Sequence, residues 1–109
     1  MTTADLGNHA INAELQIDQV QTHDATTATV AVHCIRGPFR LGARFHRILE
    51  APEPIHLELT RILAYGRPID ELESVHTALV TLCGTGTGNL KSGDLASGWQ
   101  VIQGSNPSG

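Results

Sequence analysis

Arg36-Gly37-Pro38-Phe39-Arg40-Leu41-Gly42-Ala43-Arg44-Phe45 is the stretch that decides the fold of this chain. Two glycines bracket a short turn that is both apolar and basic, and β-rich sequence lies on either side of it. Gly37 and Gly42 both suit a positive backbone φ, which other residues adopt only at a cost. The Gly37-Pro38 pair also ends the preceding strand. The segment therefore predicts a β-hairpin.

Strand patterns continue outward from this hairpin in both directions. Alternating apolar residues and β-branched runs predict strands over residues 13–20, 26–35, 43–49, 55–65, 76–83 and 95–103. Val20 falls out of step with Leu15 and Ile17, which indicates a bulge or a strand end. Residues 69–75 fit either one helical turn or a loop. Short strands at this spacing predict an all-β protein, either a closed barrel or a sandwich.

Length and composition favour one small globular domain. The chain has 109 residues, of which 40% are hydrophobic and only 4% aromatic, so its core must be aliphatic. We expect a flexible N-terminus over residues 1–10, a single barrel domain over 11–103, and a disordered tail over 104–109 because that tail is rich in Gly, Ser, Asn and Pro.

Charge and cysteine content limit the classes of partner and the compartment. The formal net charge is −4, which argues against a general attraction to nucleic acid or to an anionic membrane. No apolar run is long enough to cross a bilayer. Two cysteines in a sequence that starts without a basic and hydrophobic leader indicate a reducing compartment. We therefore expect a cytoplasmic protein that does not bind membranes.

The order of these motifs resembles the second domain of translation elongation and initiation factors. That resemblance rests first on the hairpin from Arg36 to Gly42. It rests next on Gly66, the apolar run 78–82 that Gly84 ends, and Leu90-Lys91-Ser92-Gly93-Asp94-Leu95-Ala96 before the last strand. It implies a small closed antiparallel β-barrel of about six strands, like the second domain of elongation factor Tu. The turn glycines that it implies are Gly37, Gly42, Gly66, Gly84 and Gly93.

Two departures from the family limit what the resemblance implies about function. In the family a glycine commonly lies inside the second strand, where this chain has Val32 and His33. The sequence also has no Gly-x-x-x-x-Gly-Lys-Ser/Thr phosphate loop, so we expect no GTPase domain and no binding of a nucleoside triphosphate by this chain. The family's barrel contacts ribosomal RNA or the aminoacyl end of tRNA, a role that the fold alone does not transfer.

A basic segment is the first candidate site. No acidic residue occurs from position 25 to 49, whereas this segment contains Arg36, Arg40, Arg44 and Arg47, with His46 beside the last. Arginine binds phosphates and carboxylates well, so these residues predict a surface for RNA or another anionic partner. The alternative is a solvated hairpin whose arginines pair with Glu50, Glu53 and Glu58. Few aromatic residues lie nearby, which argues against base stacking.

Other chemistry-bearing residues favour structural roles. The loop Gly84-Thr85-Gly86-Thr87-Gly88 lacks the spacing of a nucleotide-binding motif and indicates a plain hairpin loop. The histidines and cysteines show no metal-ligand spacing. Cys34 and Cys83 both lie inside predicted strands, where packing explains them better than nucleophilic catalysis. We therefore expect no cofactor, no metal and no catalytic residue.

Two residues that are the sole examples of their kind have two readings. Tyr65 and Trp99 could each cover the core, and Trp99 could instead be an exposed anchor for a partner. The preferred function is a non-enzymatic, stand-alone binding module whose partner is a protein or a small ligand. The alternative is a translation-linked protein that binds RNA, tRNA or the ribosome through the basic hairpin. Exposed strand edges would also permit a homodimer.

Overall fold

The computed structural model describes residues 11–107 and consists almost entirely of β-strands. The predicted flexible segment 1–10 and the last two residues of the predicted tail lie outside the described residues. The strands are β1 (Ala13–His23), β2 (Thr27–Arg36), β3 (Phe39–Arg40), β4 (Arg44–Ile48), β5 (His56–Ala64), β6 (Arg67–Ile69), β7 (Glu71–Leu72), β8 (Thr77–Thr85) and β9 (Val101–Ser105). One 3₁₀ turn, Thr87–Asn89, follows β8.

Six of these strands close into a barrel. Its order is β1-β2-β8-β5-β4-β9, with β9 pairing back onto β1, and every pair is antiparallel. The short β6 extends β5 as a hairpin, and β3 pairs with β7 in a separate two-stranded sheet. The predicted all-β class and six-stranded closed barrel are therefore confirmed. Closure removes the free edges that an open sheet would expose.

Alternation in the sequence places one side of each barrel strand in the core. In β2, Ala28, Val30, Val32 and Cys34 all point inward and are fully buried. The core is aliphatic, as the composition predicts, apart from Phe39 and Phe45. These two rings meet edge to face with their centroids 6.3 Å apart, an arrangement that the aromatic quadrupole favours.

Register shifts explain the positions where the alternation breaks. β1 shifts against β2 between Ile17 and Gln19 and again between Val20 and Thr22, which confirms the bulge that Val20 indicates. A further shift in β5 between Leu59 and Arg61 keeps both Leu59 and Ile62 inside the barrel. Each extra residue in a bulge lets a strand bend around a small barrel without losing its inward face.

Four local predictions differ from the structure. The segment from Arg36 to Phe45 does not form the predicted hairpin, because β2 pairs with β1 and β8 while β4 pairs with β9 and β5. Residues 69–75 form neither a helical turn nor a simple loop, because Glu71–Leu72 pairs with Phe39–Arg40. The segment Thr22-His23-Asp24 predicts a turn, but β1 continues to His23 and the turn lies further on. The tail does not begin at Gly104, because β9 runs to Ser105 and Gly104 is buried opposite Phe45. Backbone pairing, which local composition does not report, orders these residues.

The five predicted turn glycines are present for two different reasons. Gly42, Gly66 and Gly84 have positive φ angles of 91°, 77° and 148°. Gly37 does not, which corrects the prediction for that position. A Cβ on Gly37 would lie 2.6 Å from the sulfur of Cys34. Close packing against the core therefore explains Gly37.

Asp24 holds the turn between β1 and β2 and makes it sensitive to acid. Its carboxylate accepts hydrogen bonds from the backbone N–H groups of Thr26 (2.9 Å) and Thr27 (2.8 Å). These bonds lower the pKa of Asp24 below its ordinary value of 3.8 because they favour the charged form. The stabilisation is thus present above the unfolded-state pKa and is lost as pH falls through the lower folded-state pKa.

We expect Asp24→Ala to melt at a lower temperature than the unmodified protein near neutral pH. The difference should shrink as the pH falls below the unfolded-state pKa, since the Asp24 carboxylate of the unmodified protein is then progressively protonated. Thermal melts followed by circular dichroism at a series of pH values from neutral to acid would measure it. A difference that stays constant with pH would show that the charge of Asp24 does not contribute.

Candidate functional site

Two of the predicted basic residues hold the ends of the described chain in place. The Arg36 guanidinium donates to the carbonyl oxygen of Ile11 (2.8 Å), and the Arg40 guanidinium donates to that of Pro107 (2.9 Å). The backbone N–H of Arg40 also donates to the side-chain oxygen of Asn106 (2.8 Å). Both arginines are exposed, and one guanidinium nitrogen of each has a partner within the chain. These bonds fasten residues 11 and 107 to the barrel.

The remaining basic residues lie on the outer surface of β4. Arg44 stands opposite Glu58 of β5, and their charged atoms are 4.0 Å apart in a solvent-exposed pair. A register shift between Phe45 and Arg47 leaves both His46 and Arg47 exposed. Over residues 11–107, this is the only ion pair found, so Glu50 and Glu53 do not neutralise the arginines as the alternative reading expects. Arg47 is accordingly available for an anionic partner.

A polar row separates Arg47 from Arg36. Successive strand pairs place Arg47 opposite Gln103, Gln103 opposite Glu14, and Glu14 opposite Arg36. The amide nitrogen of Gln103 donates to the Glu14 carboxylate (3.1 Å), and its buried oxygen has no hydrogen-bond partner. A carboxylate therefore lies within the predicted basic surface.

The loops and thiols that could carry chemistry are engaged in packing. Thr87 donates to the carbonyl oxygen of Asp24, and the Gly84 N–H donates to that of Thr26, so hydrogen bonds fix the glycine-threonine loop as a structural loop.

Residues 11–107 contain no group of three or more His, Cys, Asp or Glu side chains that could hold a metal. Within the same residues, no helix is long and apolar enough to span a membrane.

The two cysteines differ in access to solvent. Cys34 is fully buried, and burial raises the pKa of its thiol above 9.0. Cys83 is partly buried on the outer side of β8, with its sulfur 3.5 Å from the Thr60 hydroxyl and 3.8 Å from the Thr27 hydroxyl. Cys83 also lines an open cavity of about 270 Å³ together with Arg44, His56 and Glu58.

We expect a thiol reagent to modify Cys83 of the folded protein and to spare Cys34. Modification of Cys34 should require unfolding, because its thiol is buried and its raised pKa disfavours the reactive thiolate. Mass spectrometry after timed alkylation, with and without denaturant, would count the modified sites. Rapid modification of Cys34 in the native protein would contradict this placement.

The surface around Tyr65 was missed as a site by sequence reasoning. Tyr65 is 89% exposed, so its predicted alternative as a core lid is wrong. Tyr65 and Gly66 form the two-residue turn between β5 and β6, with φ angles of 55° and 77°. Such a turn normally takes Asn, Asp or Gly at the first position. A large aromatic residue is therefore held in solvent on an unfavourable backbone.

Val75, on the segment before β8, is a second exposed residue with a left-handed backbone. It is 73% exposed and has a φ of 66°, although a β-branched residue is a clear outlier in the left-handed region. Its N–H donates to the carbonyl oxygen of Cys34 (2.9 Å), which fixes its position at the end of β2. Only one other non-glycine residue within 11–107, Glu50, has a positive φ.

Two open cavities flank Tyr65. The larger, about 350 Å³, crosses the outside of β1, β2, β8 and β5, and Leu63 and Leu79 contribute apolar surface to its lining. The smaller, about 200 Å³, lies between the β5–β6 hairpin and the segment that leads into β8. Tyr65 and Thr77 line both. We call the two cavities, together with Tyr65, the Tyr65 groove.

Acidic residues accompany the apolar lining of the Tyr65 groove. Asp18 lines the larger cavity, and Glu71 and Glu73 line the smaller one together with His76. No Lys or Arg side chain lines either cavity. Glu71 and Glu73 are thus part of a concave surface. In the sequence, the Tyr65-Gly66 pair between two apolar runs is the signal that could have predicted the β5–β6 hairpin.

Trp99 is partly packed and partly exposed, so it has features of both predicted roles, a cover of the core and an exposed anchor. It is 45% exposed, and its ring lies against Gly93, where a Cβ would overlap the indole. This contact explains why position 93 is glycine. The neighbouring Leu95 is 93% exposed at the tip of a turn closed by Asp94 and Gly98.

The fold is that of a translation-factor barrel. The crystal structure of translation elongation factor SelB from Methanococcus maripaludis superposes on 88% of this chain with a TM-score of 0.66 and 12% sequence identity. The chain corresponds to only 19% of the length of that factor. No family model matches the chain, and no curated protein does. At this identity the likeness shows the fold, a barrel like domain 2 of the translation factors.

Proposed function

We propose that this barrel is a non-catalytic binding module that recognises a protein partner through the Tyr65 groove. The observation that carries the proposal is the exposure of Tyr65 on left-handed backbone where it lines two cavities. Val75 is exposed on the same kind of backbone next to His76, which lines the smaller cavity. Residues held in sparsely populated backbone regions cost about 1–3 kcal/mol each and occur preferentially at functional sites. Asparagine or glycine would fit both turns better. An apolar contact with a partner explains why a tyrosine and a valine are present instead.

The composition of the groove suits a protein better than a catalytic reaction. Tyrosine is among the residues that most often dominate the energy of protein interfaces. The larger cavity has apolar surface and few converging polar groups. The thiols are engaged in packing, and the part of the chain that the structure describes has no metal-ligating cluster. The exposed tyrosine and the apolar lining are the features that support a binding module.

A second candidate is binding of RNA or the ribosome through β4. Arg44, His46 and Arg47 are exposed on neighbouring positions of that strand, and the charged atoms of Arg44 and Glu58 only just approach each other. The likeness to a translation factor supports this candidate. Against it, Glu14 lies close to Arg36 in register, and Arg36 and Arg40 already bind backbone carbonyls.

The cysteines and the strand edges of the module suit a particular compartment and a particular kind of partner. Two free cysteines fit a reducing cytoplasm. A homodimer through strand pairing has little support, because the barrel is closed and the outer strand β6 contains Pro68, which has no N–H to donate. The partner is therefore a different protein.

Site-specific crosslinking separates the two candidates. A photoreactive amino acid is placed at position 65 in one variant and at position 47 in another, and both are irradiated in cells. We expect variant 65 to form an adduct that protease removes and ribonuclease leaves intact, and variant 47 to form none. An adduct at position 47 that ribonuclease removes, with none at position 65, would overturn the proposal in favour of RNA.

A further inference from the structure

We propose that the Tyr65 groove takes an extended segment of its partner in which apolar side chains are flanked by lysine or arginine. This inference rests on the proposed function and adds the chemistry of the occupant. It is carried by the charge of the lining: three carboxylates, Asp18, Glu71 and Glu73, and no Lys or Arg side chain. Arg67 is near in sequence but does not line either cavity.

The apolar part of the occupant is defined by the floor of the groove. Strand pairing places Leu79 of β8 between Ala31 of β2 and Leu63 of β5, and all three line the larger cavity. In the smaller cavity Ile69 and Leu72 take the same role. Tyr65 lies at the junction of the two. A segment with two apolar side chains could therefore place one on each side of the tyrosine.

The carboxylates lie where the flanking residues of such a segment would pass. Glu71 and Glu73 are exposed at the rim of the smaller cavity. Asp18, at the larger cavity, accepts a hydrogen bond from Gln16 (2.9 Å) that fixes its orientation. Charges of one sign at the mouth of an apolar groove attract the opposite charge and reject segments of like charge.

Strand addition is excluded as the binding mode at the adjacent edge. β6 is three residues long and has Pro68 at its centre. Because proline lacks an N–H, this edge cannot continue a hydrogen-bonded ladder. Recognition must therefore come from side chains in the groove, and sequence selectivity follows from their charge and shape.

The test uses labelled peptides of about eight residues, which are about 26 Å long when extended. One peptide, the basic peptide, contains two leucines flanked by arginines. The control peptide has glutamate at every arginine position. We expect the basic peptide to bind at least tenfold more tightly in fluorescence anisotropy. We also expect the preference to weaken as salt is raised, because charge attraction is screened.

Matched charge reversals decide whether the groove is responsible. Glu71→Lys with Glu73→Lys should reduce binding of the basic peptide at least tenfold. Glu50→Lys with Glu53→Lys makes the same charge change in the loop that joins β4 to β5, at the opposite end of β5, and should leave binding unchanged. Equal loss in both double variants would overturn the inference, because net charge alone would then account for binding.

The remaining outcomes distinguish failure of this inference from failure of the proposed function. Equal affinity for both peptides, or binding of neither, would overturn the basic occupant, while a protein adduct at position 65 would leave the proposed function standing. Binding of a labelled RNA oligonucleotide that Tyr65→Asn abolishes would overturn the peptide occupant. Absence of any adduct at position 65 would overturn both.

Discussion

Replacing Gly104 by alanine is expected to lower the free energy of unfolding by about 3 kcal/mol, the upper part of the usual range for overpacking. A Cβ at this position would lie 1.8 Å from the carbonyl oxygen of Arg44 and 2.7 Å from the Cα of Phe45. Both neighbours are backbone atoms of β4, so no side chain can rotate away. Gly104 also pairs with Ala13 of β1, which fixes it from the other side.

Urea unfolding followed by circular dichroism would measure this loss. Gly88→Ala is the matched control, because a Cβ on Gly88 has no heavy atom within 4 Å and its φ is not positive. We expect the control to change stability by less than about 0.5 kcal/mol, as is usual for surface positions. If Gly104→Ala behaved in the same way, the seam between β4 and β9 would not be formed as described.

The same glycine shows why the sequence predicted the barrel but placed one of its boundaries wrongly. Gly-Ser-Asn-Pro-Ser-Gly has the composition of a disordered tail, and only the partner strands order its first residues. Gly104 and Ser105 continue β9, and the Asn106 amide donates to the carbonyl oxygen of Pro38 (2.9 Å). Such long-range pairing leaves no local pattern, whereas the alternation in β2 is local and was read correctly.

The candidate site, like the fold, could be predicted from the sequence only in part. The run from Arg36 to Arg47 was visible as a charge pattern, but the carbonyl oxygens that bind two of its guanidinium groups were not. Arg36 bonds to Ile11 and Arg40 to Pro107, contacts that spacing along the chain does not reveal. The exposure of Tyr65 likewise depends on the two-residue turn that carries it. The order of the strand patterns and turn motifs, by contrast, predicted the barrel.

The double variant Tyr65→Asn and Val75→Gly is expected to bind the protein partner at least about 30-fold more weakly, because loss of a central interface residue costs about 2 kcal/mol or more. The free energy of unfolding should rise at the same time, by about 1 kcal/mol, since Asn and Gly fit the left-handed backbone that Tyr65 and Val75 occupy under strain. Titration of the partner found by crosslinking, together with urea unfolding, would measure both.

Glu50→Gly is the control that separates strain from binding. Glu50 has a φ of 61° and is exposed, but it lies in the loop after β4 and lines neither cavity of the groove. Its replacement should relieve strain in the same way and leave partner affinity unchanged. A double variant that gained stability and kept full affinity would show that Tyr65 and Val75 are not contact residues. Loss of affinity together with a gain of stability would show that Tyr65 and Val75 keep a strained backbone because their side chains contact the partner.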